Sequence, residues 1–184
     1  MMRALKSIPQ PIDHGRYFES TLDILNYQLR KYKTQQEQID TSTSSERFAC
    51  GWPVPQFQRP LVWSRAQQVA FIESAWLGLP LGTYTLHEED WDDSGKALPF
   101  SGCVIDGQQR LTALEQYWDD QFTVFDLYWS ELDHRDMCRF MNIKFAHYRA
   151  ALWSESEIHD LYNRMALGGT PHTAEQRAGI HDTQ

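Results

Sequence analysis

The chain has 184 residues, of which 41% are hydrophobic and 23% charged, and its formal net charge is −8. That length and apolar content suit one domain with a real core. The acidic balance argues against a broad basic face for bare nucleic acid, though not against a local basic groove. The cysteines, Cys50, Cys103 and Cys138, are odd in number and far apart. They fit neither a disulfide framework nor a zinc pattern, so a reducing cytoplasm is expected. No apolar run approaches the roughly eighteen residues needed to span a bilayer, and the start lacks a signal-peptide core, so no membrane association is expected.

Residues 1–20 carry little pattern, and Pro9 and Pro11 break regular structure, so a surface arm or a partly disordered end is expected there. Leu22, Leu25, Leu29 and Tyr32 recur at helical spacing, which predicts a helix over 21–38. The polar run Thr41 to Ser45 predicts a loop. The expected organisation is an N-terminal arm and helix over 1–50 and a main domain over 51–184.

Pro53, Pro55 and Pro60 keep the stretch from Trp52 to Trp63 extended. Gln58 and Arg59 are its polar centre, which suits either a solvated turn or one wall of a site. Ser64 and Gln67 form a capping box for a helix whose buried face is Val69, Ile72 and Trp76, with Gly78 as its C′ residue. Thr83 to Leu86 alternates as a strand. Glu88 to Lys96 is an acidic hairpin loop whose carboxylates do not meet the calcium-loop spacing. It also resembles a phosphate-like face for a basic partner.

The centre of the chain runs from Cys103 to Thr112. Cys103, Val104 and Ile105 read as a short buried strand delivering Asp106. Gly107 supplies a turn or a close backbone approach. Leu111, Leu114 and Trp118 then mark the buried face of a helix. A helix N-terminus presents free N–H groups and positive dipole to an anion. Arg110 adds a forked cation, Gln108 and Gln109 add neutral donors, and Asp106 can hold a metal ion or orient a water. An ordinary polar turn before an amphipathic helix is the alternative.

Further on, Phe122 to Trp129 predicts a strand and Asp133 to Phe140 a short helix. His134, His147 and His159 do not assemble an HNH arrangement and read as surface or packing residues. Ser154 and Glu157 form a second capping box. Ile158, Leu161, Tyr162 and Met165 form the buried stripe of that helix, Gly168 and Gly169 end it, and Arg164 lies on another face. Thr173 and Gln176 open a last short helix.

Three segments in this order carry a resemblance: Pro55-Gln56-Phe57-Gln58-Arg59-Pro60-Leu61-Val62-Trp63, Val104-Ile105-Asp106-Gly107-Gln108-Gln109-Arg110-Leu111, and Arg164-Met165-Ala166-Leu167-Gly168-Gly169-Thr170-Pro171. Together they resemble the N-terminal domain of GmrSD-type modification-dependent restriction enzymes, over roughly residues 54–176. The third departs from the family's Arg-x-Asn by placing Ala166 at the Asn position, and an alanine side chain cannot hydrogen-bond a ligand.

The resemblance implies an α+β fold of the ParB/sulfiredoxin-like class, a small mixed β-sheet flanked by helices. It also implies a nucleoside triphosphate, with Mg²⁺, held at the turn from Gly107 to Arg110. The implied nucleotide-binding residues are Gln58, Arg59, Gly107, Gln108, Gln109, Arg110 and Thr112, with Arg164 as an additional candidate. Arg59 and Arg110 would neutralise phosphate charge. Asp106 would place the metal or a water, with Gln108 or Gln58 orienting that water, as phosphoryl transfer is mostly positioning and electrostatics. On this reading Asp106 and Gln108 are the catalytic candidates of an NTPase. No HNH nuclease is expected in this chain. The other function class is a non-catalytic interaction or regulatory protein: a phage or mobile-element anti-defence factor with a protein partner, or a sensor of modified DNA. DNA nicking is a third reading, with no metal-ligand cluster to recommend it.

Overall fold

The computed structural model describes residues 12–35, 47–152 and 154–167, and side chains as far as Met165. The loop expected over 41–45, the glycines at 168–169 and the last helix from Thr173 lie outside the described residues.

The fold is α+β. Strand β1 (Arg16–Thr21) leads into helix α1 (Leu22–Gln35), followed by two short strands, β2 (Arg47–Ala49) and β3 (Trp52–Val54). Helix α2 (Arg65–Trp76), strand β4 (Thr83–His87), strand β5 (Val104–Asp106) and helix α3 (Gln108–Trp118) come next. A 3₁₀ turn at Trp129–Glu131, helix α4 (His134–Met141), strand β6 (Lys144–Ala150) and helix α5 (Glu155–Leu167) complete the described elements. The main sheet runs in the order β1-β6-β4-β5, and β2 and β3 form a separate antiparallel pair. The main sheet is mixed, because β6 is antiparallel to β1 but parallel to β4.

The local rules act as their chemistry dictates. The Ser64 hydroxyl accepts from Gln67 N–H, and the Gln67 side chain returns the bond to the cap backbone. At the other end of α2, Gly78 takes φ +72° and its N–H reaches the Ala75 carbonyl, while Leu79 N–H reaches Ser74. This is a Schellman closure, which favours glycine. Ser154 and Glu157 cap α5 in the same reciprocal manner, with Ser154 N–H donating to Glu157 Oε2 at 3.0 Å.

The two faces of the sheet are covered unequally. Tyr84, Leu86, Val104 and Phe145 meet the main core, to which α1 brings Leu22, Leu25 and Leu29, α2 brings Ile72, and α3 brings Leu111, Leu114 and Tyr117. Cys103, Ile105 and Ala150 form a smaller cluster covered by Ile158 and Leu161 of α5. β5 is therefore buried from both sides, which explains its continuous apolar run.

Two expectations are corrected and one strand is added. Residues 16–21 are a strand rather than an arm; its side chains are mostly exposed, so no apolar alternation marks it. Phe122 to Trp129 is not a strand. Phe125 and Asp126 take φ of +52° and +62°, and Val124 and Leu127 close around them as an isolated bridge before the 3₁₀ turn. Two successive left-handed residues reverse the chain, which ends any strand there. Finally, β6, the strand that joins β1 to β4, arises from a stretch with no expected element.

Candidate functional site

β5 ends at Asp106, and Gly107 turns the chain into α3. Gly107 takes φ +97°, and a Cβ there would lie 2.5 Å from the Tyr84 Cβ. A side chain is thus excluded twice, by backbone conformation and by β4. Gly107 provides no side-chain cap to α3. The first intrahelical bond runs from Leu111 N–H to the Gly107 carbonyl at 3.0 Å. The amides of the preceding turn and their share of the helix dipole therefore sit where the chain meets a small cleft.

That cleft, of about 100 Å³, is lined by Gln58, Arg59, Trp63, Asp106, Gly107, Gln108, Gln109, Arg110 and Tyr162. Seven of the expected site residues are thus brought together from segments about fifty positions apart. Thr112 is buried one turn further along α3, and Arg164 is exposed on α5; neither lines the cleft.

The glutamines serve mainly as fasteners. Gln58 is buried, and its Nε2 donates to the carbonyls of Val104 and Ile105. Gln108 Nε2 donates to the Arg59 carbonyl at 2.7 Å. Gln109 accepts the N–H groups of Val62 and Trp63 on Oε1, each at 3.2 Å, and donates to the Pro60 carbonyl. A buried amide left unpaired is costly, so these bonds fix the 58–63 segment against β5 and α3.

Arg47 completes the fastening. Its Nη2 reaches the carbonyls of Pro55 and Gln58 at 3.0 and 2.9 Å, and its Nη1 reaches that of Arg59 at 3.3 Å. The planar fork of arginine suits several carbonyls at one turn. Arg47 and Trp63 are not among the site residues expected from the sequence, and Tyr162 is expected there only as core. Arg47 lies ahead of the first motif, and the only signal for Tyr162 was its place on the buried stripe of α5.

Among the described residues the charged groups of the cleft divide into a pair and an unpaired cation. Arg110 Nη2 donates to Asp106 Oδ2 at 2.7 Å and to the Thr83 carbonyl at 2.6 Å. Arg110 Nε is buried with no hydrogen-bond partner among the described residues. Arg59 is different: its backbone N–H donates to Tyr162 Oη at 3.0 Å and its carbonyl is doubly held, while its exposed guanidinium has no partner among the described residues.

A Mg²⁺ ion usually keeps waters and takes one or two carboxylates plus substrate phosphates. Among the described residues, Asp106 is the one carboxylate lining the cleft. Among the described residues no group of three or more His, Cys, Asp or Glu is placed to hold a metal. The donor set therefore fits an ion brought in by a polyphosphate and held on Asp106, not a site built wholly from protein. Such an ion would supply charge neutralisation on phosphoryl oxygens.

Residues 39–166 match the family model for the GmrSD restriction endonuclease, N-terminal domain. No curated protein and no solved structure matches the chain. The matched span covers well over half of the chain and takes in every residue of the cleft, so the chain belongs to the GmrSD N-terminal domain family.

Proposed function

We propose that this member of the GmrSD N-terminal family is a nucleotide-binding module of a restriction system acting in phage defence, with a nucleoside triphosphate and Mg²⁺ as its ligands. The observation that supports the reading is the N-terminus of α3, without a side-chain cap, opening on a cleft lined by Arg59, whose guanidinium has no partner among the described residues. Backbone N–H groups, helix dipole and an arginine unpaired among the described residues converge there, which is the chemistry of an anion seat. The cleft, of about 100 Å³, suits a phosphoryl group, and Trp63 in its lining offers an aromatic face.

On this reading Arg59 binds phosphate directly. Arg110 holds Asp106 in orientation and lends it partial neutralisation. Asp106 Oδ2 is taken by Arg110, so Oδ1 is the oxygen left for the metal ion or a water. Hydrolysis is the further half of the proposal: Asp106 would position the water, with Gln108 Oε1 as its second acceptor. Phosphate release in the presence of Mg²⁺ tests it. The account expects release by wild type that Asp106→Asn abolishes; equal release by both proteins contradicts it.

A second reading, a binding module without turnover, has one observation in its favour. The side-chain amide N–H groups of Gln58, Gln108 and Gln109 all donate to backbone carbonyls, so these residues serve the scaffold first. Nucleotide binding with no phosphate release distinguishes this reading from the first.

A further inference from the structure

We propose that Tyr162 is a ligand-contacting residue of this cleft, donating its phenolic O–H to a phosphoryl oxygen while its oxygen atom holds Arg59 in place. The proposal rests on the nucleotide reading above.

Helix α5 is seated by Ile158 and Leu161, which are almost fully buried against Cys103, Ile105 and Ala150. Tyr162 follows one residue later, and its ring meets Phe57 edge to face with centroids 5.6 Å apart. The ring direction is therefore set from the helix side and from the 55–59 turn. Its oxygen accepts the Arg59 N–H at 3.0 Å. A phenol accepts and donates at once. No acceptor for the Tyr162 hydrogen is found among the described residues, and the residue lines the same cleft as Asp106 and Arg110.

The surroundings of Arg59 point the same way. Its backbone is held by Tyr162 from α5, by Gln108 from α3 and by Arg47 from β2, while its side chain is left without a partner among the described residues. Three elements thus fix the root of a flexible cation at the cleft edge. Fixing the root reduces the ordering cost when the guanidinium engages an anion. The ligand chemistry that would use a guanidinium, a neutral O–H donor and helix amides together is a phosphoryl group, which offers several anionic acceptor oxygens.

The test is calorimetric titration of the full chain with ATP, GTP, CTP and UTP, each with Mg²⁺. It compares wild type, Tyr162→Phe, Arg59→Ala and the double variant, with thermal midpoints recorded for each. Phenylalanine keeps the ring against Phe57 and removes only the hydroxyl. A hydrogen bond to a charged acceptor makes a loss of about tenfold or more the expected effect of Tyr162→Phe. Because Tyr162 acts partly through Arg59, the double variant should lose clearly less than the product of the two single losses. Wild-type affinity in Tyr162→Phe overturns the proposal, and so does a double variant that loses the full product. Both outcomes leave the nucleotide reading standing. A wild type that binds none of the four nucleotides overturns that reading and this inference together.

Discussion

The side chain of Gln108 donates to the backbone carbonyl of Arg59 at 2.7 Å, and so joins two motifs that lie 49 residues apart. Around this bond the glutamines fasten one segment to the other, and on the proposed reading the ligand-facing work falls to Arg59, Asp106, the α3 amides and Tyr162. Substitutions separate the fasteners from the proposed ligand contacts.

Neighbouring residues Gln58 and Arg59 should behave oppositely. Gln58→Ala leaves the Val104 and Ile105 carbonyls without their buried donor, which costs about 1–3 kcal/mol of stability. Arg59→Ala removes a side chain with no partner among the described residues and should leave stability within about 0.5 kcal/mol. It should nonetheless weaken nucleotide binding by tenfold or more. Urea unfolding and calorimetry on both variants check the contrast.

Gly107→Ala should be severely destabilising. The substitution asks an L-residue to hold φ +97° and places a Cβ 2.5 Å from that of Tyr84. Strain and overpacking together suggest about 2–4 kcal/mol, or a fall in thermal midpoint of roughly 5–15 °C. A midpoint within a degree of wild type would contradict the geometry.

Arg47 should resist conservative replacement. One guanidinium serves carbonyls of Pro55, Gln58 and Arg59, and a lysine ammonium cannot reproduce that fork. Arg47→Lys and Arg47→Ala should both lower the thermal midpoint and both weaken nucleotide binding. Full recovery by lysine would show that charge alone matters.

Stability should fall on the acid side of neutrality through His147. This residue is 5% exposed on β6, stacked between Phe18 and Tyr84 with ring planes within 20° of parallel. Burial first, and the nearby Arg149 charge second, hold its pKa below 6.5. The unfolded chain therefore binds the proton more readily than the fold does. The contribution is intact above pH about 6.5 and is lost as pH falls from there through the lower folded value. Glu115 has the opposite sign: burial raises its pKa above 4.5, so its share of stability grows as pH falls through that raised value. Denaturant midpoints across pH 4–8 for wild type and His147→Phe test this, with the decline just below pH 6.5 absent from the variant.

The parts of the fold legible in the chain are those specified by neighbours in sequence. The capping boxes at Ser64 and Ser154, the glycine stop at Gly78 and the Asp106–Gly107 turn all act within a few residues. β1 and β6 were not legible because their pairing spans more than a hundred residues, as Arg16 opposite Arg149 shows. The outer strand is exposed, and the inner one carries His147 at a core position that an apolar pattern does not mark. The same holds for the site. Gln58, Arg59 and Asp106 to Arg110 stand in contiguous motifs, whereas Arg47 and Tyr162 reach the cleft through tertiary placement. Thr112 and Arg164 follow cleft residues along α3 and α5 but stand away from the cleft, because adjacency along a helix does not put side chains on one face.

Calorimetric titration of ATP, GTP, CTP and UTP with Mg²⁺ into wild type and Arg59→Ala tests the central claim most directly. The account predicts that wild type binds at least one of the four, and that Arg59→Ala loses tenfold or more of that affinity at an unchanged thermal midpoint. A folded wild type that binds none of them, or an Arg59→Ala variant that binds as tightly, would contradict it.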